Sequence, residues 1–185
     1  MARTNDLGRD PVGPLVFRLA IPSMLAQFVN VLYSIVDRMY IGNIPVIGDA
    51  ALAGAGVCGP IVTLVSSFAF LVGVGGAPLM AMSMGAGDRE RARRILSNCA
   101  MMLTVLAVVL TIVLLLTKDA MLMAFGASEE TFVYADSYLT IYVLGTAFAI
   151  LSVGLNQFII CQGFSGIGMT TVLIGAALNI ALDPV

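Results

Sequence analysis

The sequence predicts an all-α membrane protein, a polytopic helical bundle of about five transmembrane helices. Its composition is 59% hydrophobic and only 11% charged, with a mean hydropathy of +1.01. A soluble domain carries about 25% charged residues, so this chain cannot cover a soluble surface. Its apolar segments are each long enough to cross a bilayer, which takes about 20 residues, and short connections separate them. Both observations predict the same fold class.

The five apolar segments divide the chain. Residues 1–13 are expected to form a cytoplasmic N-terminal segment, and residues 14–185 the transmembrane bundle. We expect this bundle to be incomplete at its C-terminus, because the fifth segment is still apolar where the sequence stops. The predicted spans are residues 14–41, 50–84, 92–117, 131–161 and 167–185.

The first two spans contain residues that interrupt an apolar run. Arg18 lies near the start of the first span, which is longer than the core of a signal peptide, so we expect no cleavage. In the second span, Gly54–Gly59 has the letters of a G-x-G-x-x-G motif, but it follows no strand, which excludes a dinucleotide site. Small residues at steps of four instead predict a face for close helix packing. That face consists of Ala51, Ala55 and Gly59.

The remaining three spans are predicted from their apolar runs and their ends. The third span is rich in Leu and Val, which is typical of a lipid-facing helix. The fourth is expected to start at Ser128 as N-cap, with Glu129 and Glu130 complementing the helix dipole. The fifth begins near Ile167.

A polar stripe runs along the first span at steps of three or four residues, which places it on one helix face. It ends near Asp37, and a carboxylate at the centre of a membrane helix costs about 2.5–3.5 kcal/mol. Such a group usually faces a water-filled cavity, so Asp37 is a candidate site residue. A plain interfacial pair of Asp37 with Arg38 is the alternative, although it does not require polar residues deeper in the helix. The stripe consists of Ser23, Gln27, Asn30, Ser34, Asp37 and Tyr40.

A second polar line lies in the fifth span, where Asn179 is one helical turn before Asp183. Thr171 and Gly175 continue this line toward the start of the helix. Side-chain oxygens and room for backbone approach favour a cation or proton site. The alternative is that Asp183 simply ends the span.

The fourth span carries tyrosines at steps of four, at positions 134, 138 and 142. An aromatic belt at the membrane interface explains the first of them. Tyr138 and Tyr142 are equally consistent with the wall of a cavity.

Basic residues predict the orientation. If the spans alternate in direction, seven of the nine basic residues lie on the side of the N-terminus. The opposite side has only Arg38 and Lys118. By the positive-inside rule, the N-terminus is cytoplasmic in the cell (inner or plasma) membrane, and Asp37 and Asp183 both fall in its outer half.

Other functional classes lack support. No basic cluster is interleaved with aromatic residues, so no nucleic-acid partner is expected. His is absent and the cysteines Cys58, Cys99 and Cys161 lie far apart, which argues against a zinc site.

Several stretches, in this order, resemble the multidrug and toxic compound extrusion (MATE) transporter family, and together they span almost the whole chain. These stretches are Ile21-Pro22, Tyr33–Asp37, Ile41-Gly42, Ala51–Gly56, Gly85–Asp88, Ala92-Arg93, Tyr134-Ala135, Tyr138-Leu139, Leu178-Asn179 and Leu182–Pro184. The resemblance implies that the chain is most of one lobe of a protein with twelve helices in two six-helix lobes. The connection at residues 162–165 departs from the family, since it lacks the usual basic and Gly-Asn pattern.

The resemblance implies an antiporter, not an enzyme, that expels organic cations or drugs in exchange for Na⁺ or H⁺. It implies an ion-coupling site at Asp37, Asn179 and Asp183, where Na⁺ could be held, with Tyr138 nearby. The implied partners are a small organic cation, the lipid bilayer, and a missing second lobe or a second copy of the chain. No cofactor other than the coupling ion is expected, and this chain alone is expected not to transport.

Two alternatives remain open. A lipid-linked saccharide flippase of the same wider superfamily would need cationic residues in its cavity, and the polar stripes carry none. A non-transporting membrane fragment or scaffold would not need a carboxylate stripe.

Overall fold

A computed structural model describes residues 11–182 of the chain, with side chains described as far as residue 178. These residues form five α-helices joined by short turns, and no strand occurs among them. The predicted all-α fold of about five helices is thus confirmed. The helices are α1 (Val12–Gly42), α2 (Gly48–Gly85), α3 (Arg89–Ala124), α4 (Glu129–Cys161) and α5 (Ser165–Leu182).

The first four helices are long and apolar enough to cross a membrane. In α5 the described apolar part, Ser165–Leu178, is shorter. Helix α3 continues to Ala124, seven residues beyond the expected end of its span at residue 117. A helix can extend beyond its membrane-spanning part, so the span boundaries stay predictions.

Glycines in the left-handed conformation end three of the helices. After α2, Gly87 has φ +77°, and the Asp88 N–H donates to the Ser83 carbonyl at 3.0 Å. After α3, Gly126 has φ +94° and the Ala127 N–H donates to the Leu122 carbonyl at 3.0 Å. These bonds satisfy the last carbonyls of each helix in a Schellman motif, which permits the short connections. Gly163 after α4 repeats the pattern with φ +90°.

The next helices begin with side-chain caps. Asp88 accepts a hydrogen bond from the Arg91 N–H at 2.9 Å at the start of α3. At α4, the Thr131 N–H donates to Ser128 Oγ at 3.3 Å, and the Ser128 N–H donates to Thr131 Oγ1 at 2.9 Å. The prediction that Ser128 caps α4 is confirmed, and the bonds are reciprocal as in a capping box.

The described residues divide into two compact units, and each helix from α1 to α4 contributes to both. The first, which we call the Phe158 unit, contains residues up to Asp37, Gly73–Cys99 and residues from Leu155 onward. Its core consists of Ala77, Met80, Ala92 and Phe158, all nearly inaccessible to solvent. A Cβ placed on Gly76 would lie 2.8 Å from Phe158 Cζ, so α2 and α4 approach closely in this unit.

The second unit, which we call the Lys118 unit, contains Arg38–Val72 and Ala100–Gly154. In this unit α2 packs on α4 through Gly54, where an added Cβ would lie 3.0 Å from the Ala135 nitrogen. Next to it, the Cys58 thiol donates to the Ala135 carbonyl at 3.4 Å. Of the predicted packing face of α2, Ala51 and Ala55 are partly buried, whereas an added Cβ on Gly59 would meet nothing within 4 Å.

Candidate functional site

Helix α1 places its polar stripe on the sheltered side. Asn30, Ser34 and Asp37 are all partly buried, and Ala26, one turn before Asn30, is the buried residue of this helix. The opposite side is apolar and exposed, for example at Met24 (70%). In α1 these polar side chains are partly buried and the apolar side chains opposite them are exposed. This is the reverse of an amphipathic helix in a soluble protein, and it is the pattern expected in a membrane.

Two members of the predicted stripe lie off this side. Gln27 is exposed, and Tyr40 is 45% exposed. Ser23 is partly buried, and its hydroxyl donates to the Leu19 carbonyl at 3.0 Å, which satisfies it within the helix. The sheltered polar group of α1 therefore consists of Asn30, Ser34 and Asp37.

The predicted site residues of α5 are only partly within the described structure. Asn179 lies in the helix, its side chain falls outside the described part, and Asp183 falls outside the described residues altogether. Thr171 and Gly175, which continue this line in the sequence, are exposed on α5. Among the described side chains, no group of three or more His, Cys, Asp or Glu residues is placed to hold a metal ion.

Helix α4 presents a continuous buried face in the Lys118 unit, and the tyrosines lie beside it. Tyr138 is 39% exposed and Tyr142 is partly buried. Tyr134 packs against α2, since a Cβ added to Gly54 would lie 3.2 Å from the Tyr134 Cβ. The buried face consists of Ala135, Leu139, Val143, Thr146 and Ile150.

An ion pair that the sequence analysis missed lies on the other flank of the same face. Lys118 of α3 donates from Nζ to the Asp136 carboxylate, and to Thr140 Oγ1 at 3.0 Å. The two charged side chains are only 20% and 32% exposed. By helix geometry, residues 136 and 140 flank the buried face of α4 opposite to Tyr138 and Tyr142. The pair therefore joins α3 to α4 on the side away from the tyrosines.

The sequence did contain a signal for this pair. Lys118 is the only lysine of the chain. It lies six residues before the end of α3 at Ala124, and Asp136 lies seven residues after the start of α4 at Glu129. In an antiparallel hairpin with a short turn, positions equally far from the turn face each other. Opposite charges at such positions indicate an ion pair.

A surface pocket of about 480 Å³ opens near the turn between α3 and α4. Two carboxylates, an aromatic ring and a thioether contribute to its wall, and none of the predicted site residues does. The lining residues are Asp119, Ala120, Met123, Glu129 and Phe132.

Comparison with known proteins gives relatives that are transporters. The chain is 28% identical over 170 residues to the multidrug export protein MepA of Staphylococcus haemolyticus, covering 92% of this chain and 37% of the relative. It is 26% identical over 177 residues to MepA of Staphylococcus aureus strain MSSA476, covering 96% of this chain and 39% of the relative. The chain thus spans less than two fifths of the length of these relatives.

Solved structures with the same fold include transporters. A MATE protein crystallised in a bent conformation superimposes with a TM-score of 0.83 at 27% identity, covering 92% of this chain and 37% of that one. A transporter of the MOP superfamily from Pyrococcus furiosus, described as having a binding pocket of reversed polarity, gives a TM-score of 0.85 at 26% identity, with the same coverage.

The family comparison agrees with these relatives. The model of the MatE family matches residues 22–185, which include the sheltered polar group of α1, the ion pair and the start of α5. This family contains transporters and not enzymes. The chain therefore belongs to the MATE family of multi-pass membrane transporters.

Proposed function

We propose that this chain forms part of a secondary active efflux transporter that exports organic cations or drugs in exchange for Na⁺ or H⁺. The observation that carries the proposal is the sheltered polar group of α1, in which Asn30 and Ser34 lead to a partly buried carboxylate at Asp37. Desolvating a carboxylate is expensive, so its placement there favours a role in binding a cation or a proton. The two relatives named as multidrug export proteins support the direction of transport.

Charge on the described side chains favours a cationic substrate over an anionic one. The basic residues of α1 among the described residues, Arg18 and Arg38, are both exposed, so its sheltered side carries a carboxylate and no base. Lys118 is partly buried, but Asp136 neutralises it. A flippase for an anionic, lipid-linked saccharide would need unpaired cations along its path, so we rank that alternative lower.

The coupling site in this proposal consists of Asp37, Asn179 and Asp183, with Tyr138 as a further candidate. Carboxylate and amide oxygens are suitable ligands for Na⁺, and the same carboxylates can carry a proton. Na⁺ and H⁺ are here transported substrates and not resident cofactors. Exchange requires that the coupling ion and the drug be carried in opposite conformational transitions of the protein and not in the same one.

A second lobe is part of the proposal. The chain covers 37–39% of its MepA relatives, and alternating access takes place by the motion of one repeat against another. The second lobe could come from further residues of the same protein or from a second copy of this chain. Residues 1–185 by themselves are then expected not to export drugs.

The carboxylate of Asp37 gives the test of this function. In cells that express the complete reading frame, Asp37→Asn should abolish gradient-driven efflux of a cationic dye such as ethidium and leave the protein inserted at wild-type levels. Asp49→Asn is the matched control, because Asp49 is an exposed carboxylate in the first turn of α2. Wild-type efflux by Asp37→Asn would refute the proposal. Dissipating the Na⁺ or the H⁺ gradient separately identifies the coupling ion.

Orientation is tested by cysteine labelling after the native cysteines are replaced. With a cytoplasmic N-terminus, the connection of α2 to α3 is cytoplasmic, so a cysteine at Ala86 should resist an impermeant thiol reagent in intact cells. A cysteine at Ala124, at the end of α3, should react. Both positions are exposed alanines. The reverse labelling pattern would invert the proposed orientation.

A further inference from the structure

The start of α3 carries a concentration of exposed positive charge, the arginine collar, defined as Arg89, Arg91, Arg93 and Arg94. All four side chains are exposed. Glu90 pairs with Arg94 at 3.0 Å, and the Asp88 carboxylate accepts from the Arg91 N–H as a helix cap. Among the described residues, the other three arginines of the collar form no ion pair. Their charges are therefore available to an external anion.

The collar points outward on both sides of α3. Ala92 is 4% exposed and packs into the core of the Phe158 unit, which fixes the rotation of this helix. At about 100° per residue, Arg89 and Arg93 lie on one side of Ala92, and Arg91 and Arg94 on the other. Anions could therefore reach the helix from either side.

The collar lies beside a transition from polar to apolar surface. On α3, Ser97 and Asn98 are exposed, and exposed apolar side chains begin at Met101 (69%). Met101 is seven residues after Arg94, which is about 10 Å along a helix. On α2, Met82 is 63% exposed shortly before the connection. This sequence of charged, polar and apolar zones matches the headgroup, interfacial and acyl-chain regions of a bilayer.

The connection of α3 to α4 has the opposite character. Lys118, six residues before the end of α3, is neutralised by Asp136 of α4. Asp119, Glu129 and Glu130 are exposed. An anionic surface that attracts the collar would be repelled at this second connection. The two connections therefore differ in the sign of their exposed charge, and not only in their number of basic residues.

We propose that the arginine collar binds the phosphate headgroups of anionic glycerophospholipids. A guanidinium group presents a planar fork of donors that fits phosphate oxygens in pairs, and its apolar stem can lie along the lipid surface. Clusters of four or more basic residues at the end of a membrane helix attract anionic lipid, and each one near the surface strengthens binding. The collar is a specific lipid contact in addition to a signal for orientation.

Lipid titration of the full chain in detergent tests this site. Fluorescent phosphatidylglycerol should bind more tightly than fluorescent phosphatidylcholine, and the difference should shrink as salt rises from about 0.05 M to about 0.5 M. Arg89→Gln, Arg91→Gln and Arg93→Gln together should remove this preference, with affinity for phosphatidylglycerol falling about fivefold per arginine. Equal affinity of the wild type for both lipids would overturn the proposal.

Two control variants separate charge from folding. Lysine at the same three positions keeps the charge and should retain most of the preference, whereas Arg38→Gln, which removes an exposed arginine in the Lys118 unit, should leave it unchanged. Circular dichroism confirms the helix content of each variant. A triple glutamine variant that is folded and still prefers phosphatidylglycerol would refute the site. Complete competition by inorganic phosphate at equal concentration would show a free-phosphate site and also overturn the lipid assignment.

Discussion

Each of the two units is stabilised internally by a different kind of contact. In the Phe158 unit the core is apolar, and the described charged residues are exposed apart from the partly buried Asp37 of α1. In the Lys118 unit an ion pair with both side chains mostly buried joins α3 to α4. The core of the Phe158 unit therefore depends mainly on side-chain volume, whereas the packing of α3 on α4 in the Lys118 unit also depends on charge.

This difference matters because a lipid environment changes how much each kind of contact contributes to the free energy of unfolding. Apolar side chains gain little from leaving lipid for a protein core, so close packing must stabilise the Phe158 unit. A charge gains a great deal from a partner when water is excluded. Substitutions that alter volume and substitutions that alter charge should therefore affect the two units differently.

The largest effect is expected from loss of volume at the ring of Phe158, which is 1% exposed. Phe158→Ala should lower the free energy of unfolding by about 2–4 kcal/mol. This is near the lower end of the range for buried phenylalanines, because an apolar side chain gains little free energy on transfer from lipid to a protein core. Unfolding in mixed micelles at increasing sodium dodecyl sulfate concentration measures this change. Phe148→Ala, at a site 79% exposed, is the control and should change little. Equal losses of stability at both sites would mean that Phe158 is not packed more tightly than the exposed Phe148.

The next effect concerns charge in the Lys118 unit. Lys118→Met leaves Asp136 without its cation, which should cost about 2–3 kcal/mol, less than for a fully buried pair because both groups retain some exposure. Replacing both residues, as Lys118→Met with Asp136→Leu, should recover most of that loss in the same assay. Asp119→Ala serves as the control, since Asp119 is 72% exposed and 3.8 Å from Lys118. A double variant as unstable as the single one would show that charge is not the cause.

A smaller effect tests the close approach of helices in the Phe158 unit. In Gly76→Ala the new Cβ would lie 2.6 Å from Cys99 Sγ and 2.8 Å from Phe158 Cζ, so we expect a loss of about 1–2 kcal/mol from overpacking. Gly75→Ala is a matched control in the same helix, because its Cβ would meet nothing within 4 Å. That control should be neutral or stabilising, since alanine favours a helix. Thermal unfolding measures the stability of the two variants relative to the unsubstituted chain. A Gly76→Ala variant that is more stable than that chain would contradict the observed packing.

The smallest effect is expected at the start of α4 in the Lys118 unit. Ser128→Ala removes the acceptor for the Thr131 N–H and should cost about 1 kcal/mol. Ser128→Asp keeps an acceptor and places a negative charge at the helix N-terminus, so it should preserve stability. Hydrogen exchange at the amides of residues 130–132 should be faster in Ser128→Ala only. Identical exchange in all three proteins would show that the cap does not matter.

Local signals in the sequence were sufficient for the helices and for one polar face. Apolar runs predicted five helices, and Ser128 followed by acidic residues located the start of α4. The spacing of Asn30, Ser34 and Asp37 predicted one shared face, and the structure places all three on the sheltered side of α1. These features depend on residues within a few turns of each other, where spacing determines geometry.

Only the tertiary structure decided which apolar face of each helix is packed and which charges meet. Small residues occur on several sides of α2, yet Gly54 and Cys58 contact α4, while a Cβ added to Gly59 would meet nothing within 4 Å. Likewise, the pairing of Lys118 with Asp136 became visible only when α3 and α4 were placed side by side. The physical reason is that lipid and protein interior are both apolar. Hydrophobic periodicity therefore shows where a membrane helix is polar, but it does not distinguish its lipid-facing side from its packed side.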